Sequence, residues 1–275
     1  MPIANARMYS VNAAVKAQWH RLLTAALQRA ELDWPVIDYD APASLKALWS
    51  RDDLGLVMMC GLPFTQRVPR AVLVATPVPK PAEFGGLPVY WTDIVVRSGD
   101  PAHTLADTFG GVVGYTLADS FSGSVAWAAH LCAAVPDCGG RPSMYCAAVG
   151  GLIHARGVID ALISGRIDVG PLDSYYHALL RRHEPALAAQ VRVVDRTVKQ
   201  PIPPLIATAP VDDASLARLR KALQHTARDD SMRACMDDLL LDSFAVPGNG
   251  IRAADYEPMA EWGRRLQTEF RWEPR

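Results

Sequence analysis

Three hydroxyl side chains fall within five residues, at Ser120, Ser122 and Ser124, with Gly123 between the last two. The apolar run that follows reads as a helix over residues 122–134, so the hydroxyls sit at its start. Such a start offers rotatable O–H donors, backbone N–H groups and the positive end of the helix dipole to one point, which suits a compact anion with several acceptor oxygens. The same residues also suit an ordinary serine cap, which needs one hydroxyl. His154 and Asp173 each head a further helical segment, where a ligand role and a capping role are both open. Tyr9, Tyr90 and Trp91 add aromatic faces, although aromatic side chains bury large areas wherever they can. The charges of Arg181, Arg182, His183 and Glu184 read as a solvated helix end, and Cys60 beside Gly61 as a small buried hydrophobe.

The elements that must position these residues alternate between strands and helices. An opening strand over residues 2–9 precedes Val15, Trp19, Leu22, Leu23, Ala26 and Ala30, which share one helical face. Strands are predicted at 34–39, 54–60, 71–78 and 89–97, with a short helix at 43–51. In the middle of the chain strands at 111–116, 145–149, 167–172 and 191–198 alternate with helices at 122–134 and 155–162, and Gly165 suits the left-handed residue that closes the second helix. After the proline-rich residues 201–204 come a strand at 205–209 and helices from 213, near 232–241 and at 253–266. The expected fold is α/β with two lobes, each a mostly parallel sheet flanked by helices, joined by two hinge crossovers. Residues 1–95 with 201–275 form one lobe in this reading and residues 96–200 the other. In such sheets ligands collect at the carboxyl ends of strands, between the lobes.

Composition narrows the function. The 275 residues are 50% hydrophobic and carry 28 Lys+Arg against 29 Asp+Glu, a formal net charge of −1. Disorder is excluded by that apolar content, and the balance leaves no basic surplus for an extended nucleic acid. The most apolar stretch, 110–135, is interrupted by Asp119, Ser120, Ser122, Ser124 and His130, so no membrane span is expected. The opening residues lack the pattern of a leader, so the chain reads as cytoplasmic as written or as one whose leader has been removed. Five cysteines without C-x-x-C spacing read as free thiols. No cofactor or metal site is expected. Nucleophile-elbow, H-E-x-x-H, phosphate-loop and complete dinucleotide motifs are all missing from the sequence, and His130 and Cys132 lie two apart on one helix and point in different directions. Catalysis is therefore not expected.

The order of motifs resembles the substrate-binding proteins of phosphate, phosphite and phosphonate ABC transporters. The resemblance is carried by Met8-Tyr9 and a Trp-bearing helix, Cys60-Gly61-Leu62-Pro63-Phe64, Tyr90-Trp91-Thr92-Asp93-Ile94-Val95-Val96-Arg97, Asp119-Ser120-Phe121-Ser122-Gly123, Gly150-Gly151-Leu152-Ile153-His154, and the run from Gly165 to Ser174. It implies a two-lobed type II periplasmic-binding fold whose cleft closes on a small oxyanion, phosphate or a phosphonate, for uptake through an ABC permease. By the same resemblance Ser120, Phe121, Ser122, Gly123 and Ser124 form the oxyanion cradle, His154 points at the anion's oxygens, and Asp173 lies on the facing edge of the cleft. Tyr9, Tyr90 and Trp91 correspond to aromatic residues from the other lobe. A periplasmic location is implied as well. The chain departs from the family at Phe121, which stands where a small or polar residue is common, and at Gly150-Gly151-Leu152, which lacks a serine often seen before the histidine. A cytoplasmic ligand sensor, or an enzyme on the same scaffold, is the rival reading.

Overall fold

The computed structural model describes residues 1–40, 43–134, 144–269 and 272; Cys138 lies outside them. The chain opens with β1 (Ile3–Asn5), α1 (Ala13–Arg29), α2 (Leu45–Trp49), β2 (Leu54–Met58), α3 (Gly61–Gln66), β3 (Val72–Pro79) and β4 (Val89–Tyr90). It continues through β5 (Thr92–Arg97), β6 (Val112–Gly114), α4 (Ala126–Ala134), β7 (Ala147–Val149), α5 (Ala155–Ile163), β8 (Val169–Asp173), α6 (Ser174–His183), α7 (Pro185–Ala188) and β9 (Val191–Arg196). The last part holds β10 (Gln200–Pro201), β11 (Leu205–Ala207), α8 (Asp213–Arg228), α9 (Arg233–Asp238), β12 (Leu241–Pro247), β13 (Gly250–Ile251) and α10 (Glu257–Glu269).

Two compact units result. The first, Met1–Val89 with Pro201–Tyr256, is built on a six-stranded sheet in the order β1-β2-β11-β3-β12-β13. The apolar stripe of α1 is buried at Val15, Trp19, Leu22, Leu23 and Ala26, and Asn12 caps that helix by accepting from Val15 N. The second unit, Tyr90–Gln200 with Glu257–Arg275, has a five-stranded sheet in the order β7-β6-β8-β5-β9. Its core gathers Ile94, Val96, Val113, Trp127, Leu131 and Val169. Among the described residues no helix is long and apolar enough to cross a membrane.

Three features differ from the sequence expectation. Strand pairing is mixed rather than mostly parallel. β6 runs parallel to β7 and β8, but β5 is antiparallel to β8 and β9, and β11 is antiparallel to β2 and β3. β5 and β11 follow the first two of the three crossings of the chain between units, and both enter their sheets against the local direction. The expected helix near 232–241 stops at Asp238. Leu240 adopts a left-handed φ of 52° and the chain reverses into β12, antiparallel to β3. The unit boundary falls at Val89/Tyr90, and Glu257–Arg275 belongs to the second unit rather than the first. The physical reason is aromatic packing: Trp262 of α10 stacks on Phe121 at 6.0 Å, and Trp272 stacks on Tyr115 at 4.7 Å.

Candidate functional site

After β6 the chain passes through Tyr115 and Thr116 into a tight turn in which Ser120 N donates to Leu117 O at 2.9 Å. Ser120 is extended and caps the next helix, its Oγ accepting from Gly123 N at 3.2 Å. A hydroxyl that accepts in this way keeps its own proton to donate. Residues Phe121–Val125 then form a π turn, with Val125 N bonded to Ser120 O at 3.1 Å, before the backbone settles into α4. Such wide turns recur at functional sites.

Four anchors hold this loop. Thr92 Oγ1 on β5 donates to Ser122 O at 2.8 Å, and Thr116 N donates to Gly123 O at 3.0 Å. Phe121 is buried against Trp262. Trp272 Nε1 donates to Ser124 Oγ at 2.9 Å, which again leaves the serine its own proton. Glycine is required at position 123 because a Cβ there would overlap the Thr116 hydroxyl. That hydroxyl is itself exceptional. Thr116 is 6% exposed, and its Oγ1 has no hydrogen-bond partner among the described residues. A buried hydroxyl without a partner costs free energy unless something satisfies it.

The loop carrying His154 is tied to the same strand end. Gly151 N donates to Thr116 O at 2.9 Å, and Leu152 N to Tyr115 O at 3.5 Å. His154 caps α5, its Nδ1 accepting from Gly157 N at 3.1 Å. Nδ1 is therefore the unprotonated nitrogen, and the neutral ring carries its proton on Nε2 as a donor. Asp173 ends β8, a parallel neighbour of β6, so it lies at the same edge of the sheet. Its Oδ1 caps α6, accepting from Tyr175 N and Tyr176 N at 3.0 Å each. The second unit thus brings together Ser120, Phe121, Ser122, Gly123, Ser124, His154 and Asp173 at the carboxyl ends of adjoining strands.

Of the aromatic candidates, Trp91 adjoins the start of α6: its N donates to Ser174 Oγ at 3.0 Å and its O accepts from Ser174 N at 3.0 Å. Tyr9 is buried in a 3₁₀ turn of the first unit. Tyr90 and Trp91 are buried in the second, and the indole Nε1 of Trp91 donates to Asp93 Oδ1 at 2.8 Å. Its ring lies beneath Arg196 and Lys199, at 5.5 and 5.2 Å. Asp93 is the centre of a cluster that sequence reasoning missed. His177 Nδ1 is 2.7 Å from its Oδ2, Arg196 Nε donates to Oδ1 at 3.1 Å, and Arg181 approaches at 3.6 Å. Burial alone would push this carboxyl up, but the hydrogen bonds from His177 and Trp91 and the nearby charges of His177 and Arg196 outweigh it and hold it below the ordinary carboxylate value. Arg181 is consequently part of this cluster rather than a purely solvated charge. The Trp91-x-Asp93 spacing was visible in the sequence; its partners 84 and 103 residues away were not. Nor did any local signal point to Thr116 or Trp272. No group of three or more His, Cys, Asp or Glu side chains suited to a metal occurs among the described residues.

Two mixed sheets with flanking helices and anion-suited loops at strand ends define a protein of the type II periplasmic-binding class. Residues 12–249 match the family described as ABC transporter, phosphonate, periplasmic substrate-binding protein, and the chain belongs to that family. Among solved structures it is similar to a binding protein component of an ABC phosphonate transporter from Pseudomonas aeruginosa, with 17% identity, a TM-score of 0.75 and coverage of 97% of this chain and 87% of that one. PhnD1 from Prochlorococcus marinus (MIT 9301), solved in complex with methylphosphonate, gives 16% identity, a TM-score of 0.75 and coverage of 97% and 98%. XAC2383 from Xanthomonas citri, solved bound to ATP, gives 17% identity, a TM-score of 0.68 and coverage of 98% and 99%. No curated protein matches by sequence.

Proposed function

We propose that the protein binds a small phosphorus oxyanion, of the phosphonate class, and delivers it to an ABC permease from the periplasm without transforming it. The anion is held on residues 120–124, with Ser120, Ser122 and Ser124 as hydroxyl donors, the first N–H groups of the helix as main-chain donors, and His154 Nε2–H as a donor from the adjoining loop. Phe121 and Gly123 shape the loop. Asp173, Trp91 and the buried Tyr9 and Tyr90 serve as scaffold in this reading.

The observation that carries the proposal is the neutral helix start at Ser120, with the buried Thr116 hydroxyl, which has no partner among the described residues, close to Gly123. A phosphonate dianion taken out of water needs several converging donors, and charge-assisted hydrogen bonds at a helix start supply them. Methylphosphonate in PhnD1 supports the ligand class. Thermal unfolding with phosphate, phosphite, methylphosphonate, aminoethylphosphonate, sulfate, ATP and a carboxylate tests it. A ligand at ~100 times its Kd adds ~2.7 kcal/mol, which is about 5–10 °C for a protein of this size. No shift with any phosphorus oxyanion would remove the ligand assignment. Phosphonate returned unchanged after prolonged incubation is expected, and turnover would point to an enzyme instead. Uptake by cells carrying the cognate permease tests delivery.

A further inference from the structure

Ile153 is placed where an isoleucine gains little. Its φ is 63°, in the left-handed region that a β-branched side chain resists, and the residue is 59% exposed. Neither backbone preference nor burial accounts for it, and a strained residue of this kind is a reason to look for function. Gly151, two positions earlier at φ 71°, is the residue type such a conformation ordinarily takes.

The surroundings suggest the use. Ile153 immediately precedes His154, on the loop bonded to Thr116 O through Gly151 N. Leu117 immediately follows Thr116, is 40% exposed, and accepts from Ser120 N. Two exposed aliphatic residues therefore border the hydroxyl residues along the backbone: Leu117 opens the turn that leads into Ser120, and Ile153 lies on the loop hydrogen-bonded to Thr116. The hydroxyls and N–H groups satisfy oxygen atoms, and an aliphatic rim beside them matches the carbon side of a molecule whose other end is the oxyanion.

We propose that Ile153, with Leu117, determines specificity by packing on the substituent of the ligand and selecting phosphonates that carry a small uncharged alkyl group over inorganic phosphate and over amine-bearing phosphonates. This rests on the oxyanion reading above. An alkyl group removed from water against these side chains is favoured, whereas an ammonium group pressed on the same aliphatic surface loses water.

Isothermal titration of the full chain with phosphate, methyl-, ethyl- and propylphosphonate and 2-aminoethylphosphonate tests it, with wild type, Ile153→Gly, Ile153→Asn and Leu117→Ser compared. Affinity should rise about fourfold per added methylene, with phosphate and the amine weakest. Ile153→Gly removes the side chain and accepts the same φ, so its melting temperature should hold or rise while the alkyl preference collapses and phosphate affinity stays within about twofold. Ile153→Asn, also tolerant of this conformation, should behave alike, and Leu117→Ser should lose part of the preference. Phosphate or aminoethylphosphonate binding as tightly as ethylphosphonate, or an unchanged preference in both Ile153 variants, overturns the inference and leaves the oxyanion reading standing. Silence with every phosphorus compound overturns both.

Discussion

At Asp173 a carboxylate accepts two backbone N–H groups at 3.0 Å each, whereas at Ser120 a neutral hydroxyl accepts one at 3.2 Å. Both residues cap helices at the same edge of the second unit's sheet. The first start places a full negative charge against the positive end of the helix, so its dipole is already answered and a second anion is repelled. The second leaves the dipole unanswered and keeps a proton on each hydroxyl to donate. A cap that stabilises and a cap that can also bind thus differ less in geometry than in charge. The helix begun at Asp173 is further tied down by His177, whose ring meets the buried Asp93; the loop begun at Ser120 is held by its rim and packs on the Thr116 hydroxyl, which has no partner among the described residues.

The sharpest way to break this contrast is Asp93→Ala. It strips His177 and the Trp91 indole of their acceptor in a buried site, and about 3–5 kcal/mol of stability should be lost in denaturant melts. A loss below about 1 kcal/mol would mean that the cluster does not hold α6. Because the folded carboxyl lies below its unfolded value, its stabilisation is present above the unfolded value and is lost as pH falls through the folded one. The wild type should weaken steeply under acid below about pH 4, and Asp93→Asn should flatten that dependence.

Ser122→Asp puts the carboxylate of the first kind of start into the second. Phosphonate affinity should fall at least ~100-fold, about 2.7 kcal/mol, while the melt is little changed because an acidic residue suits a helix start. Retained affinity would move the anion away from this loop. Gly123→Ala should cost about 1–3 kcal/mol by overpacking against Thr116, measurable in the same melts. Thr116→Val is the finer probe. Removing a buried hydroxyl that lacks a partner should raise stability by about 1 kcal/mol and weaken phosphonate binding; a melt that falls would show the hydroxyl to be satisfied already.

Much of the local structure of this region was legible before any coordinates. The hydroxyls at Ser120–Ser124, His154 at the head of α5 and Gly165 at its close are short-range patterns, set within a turn or two of the backbone. Such contacts depend on local spacing, which the sequence carries directly. Residues 34–39, read as a strand, make one isolated bridge from Val36 to Ala4, and β12, which begins at the end of the helix expected near 232–241, was not read as a strand.

The sequence by itself therefore determined the alternation of elements, the helix starts and the neutral hydroxyl loop. Tertiary structure alone decided that β5 and β11 run against their neighbours, that α10 and Trp272 belong to the second unit, and that Asp93 collects His177 and Arg196. It also decided that the Thr116 hydroxyl lies buried against Gly123 with no partner among the described residues. Each of these depends on which distant residues share a surface, and pairing across tens of residues leaves no period in the chain to be read.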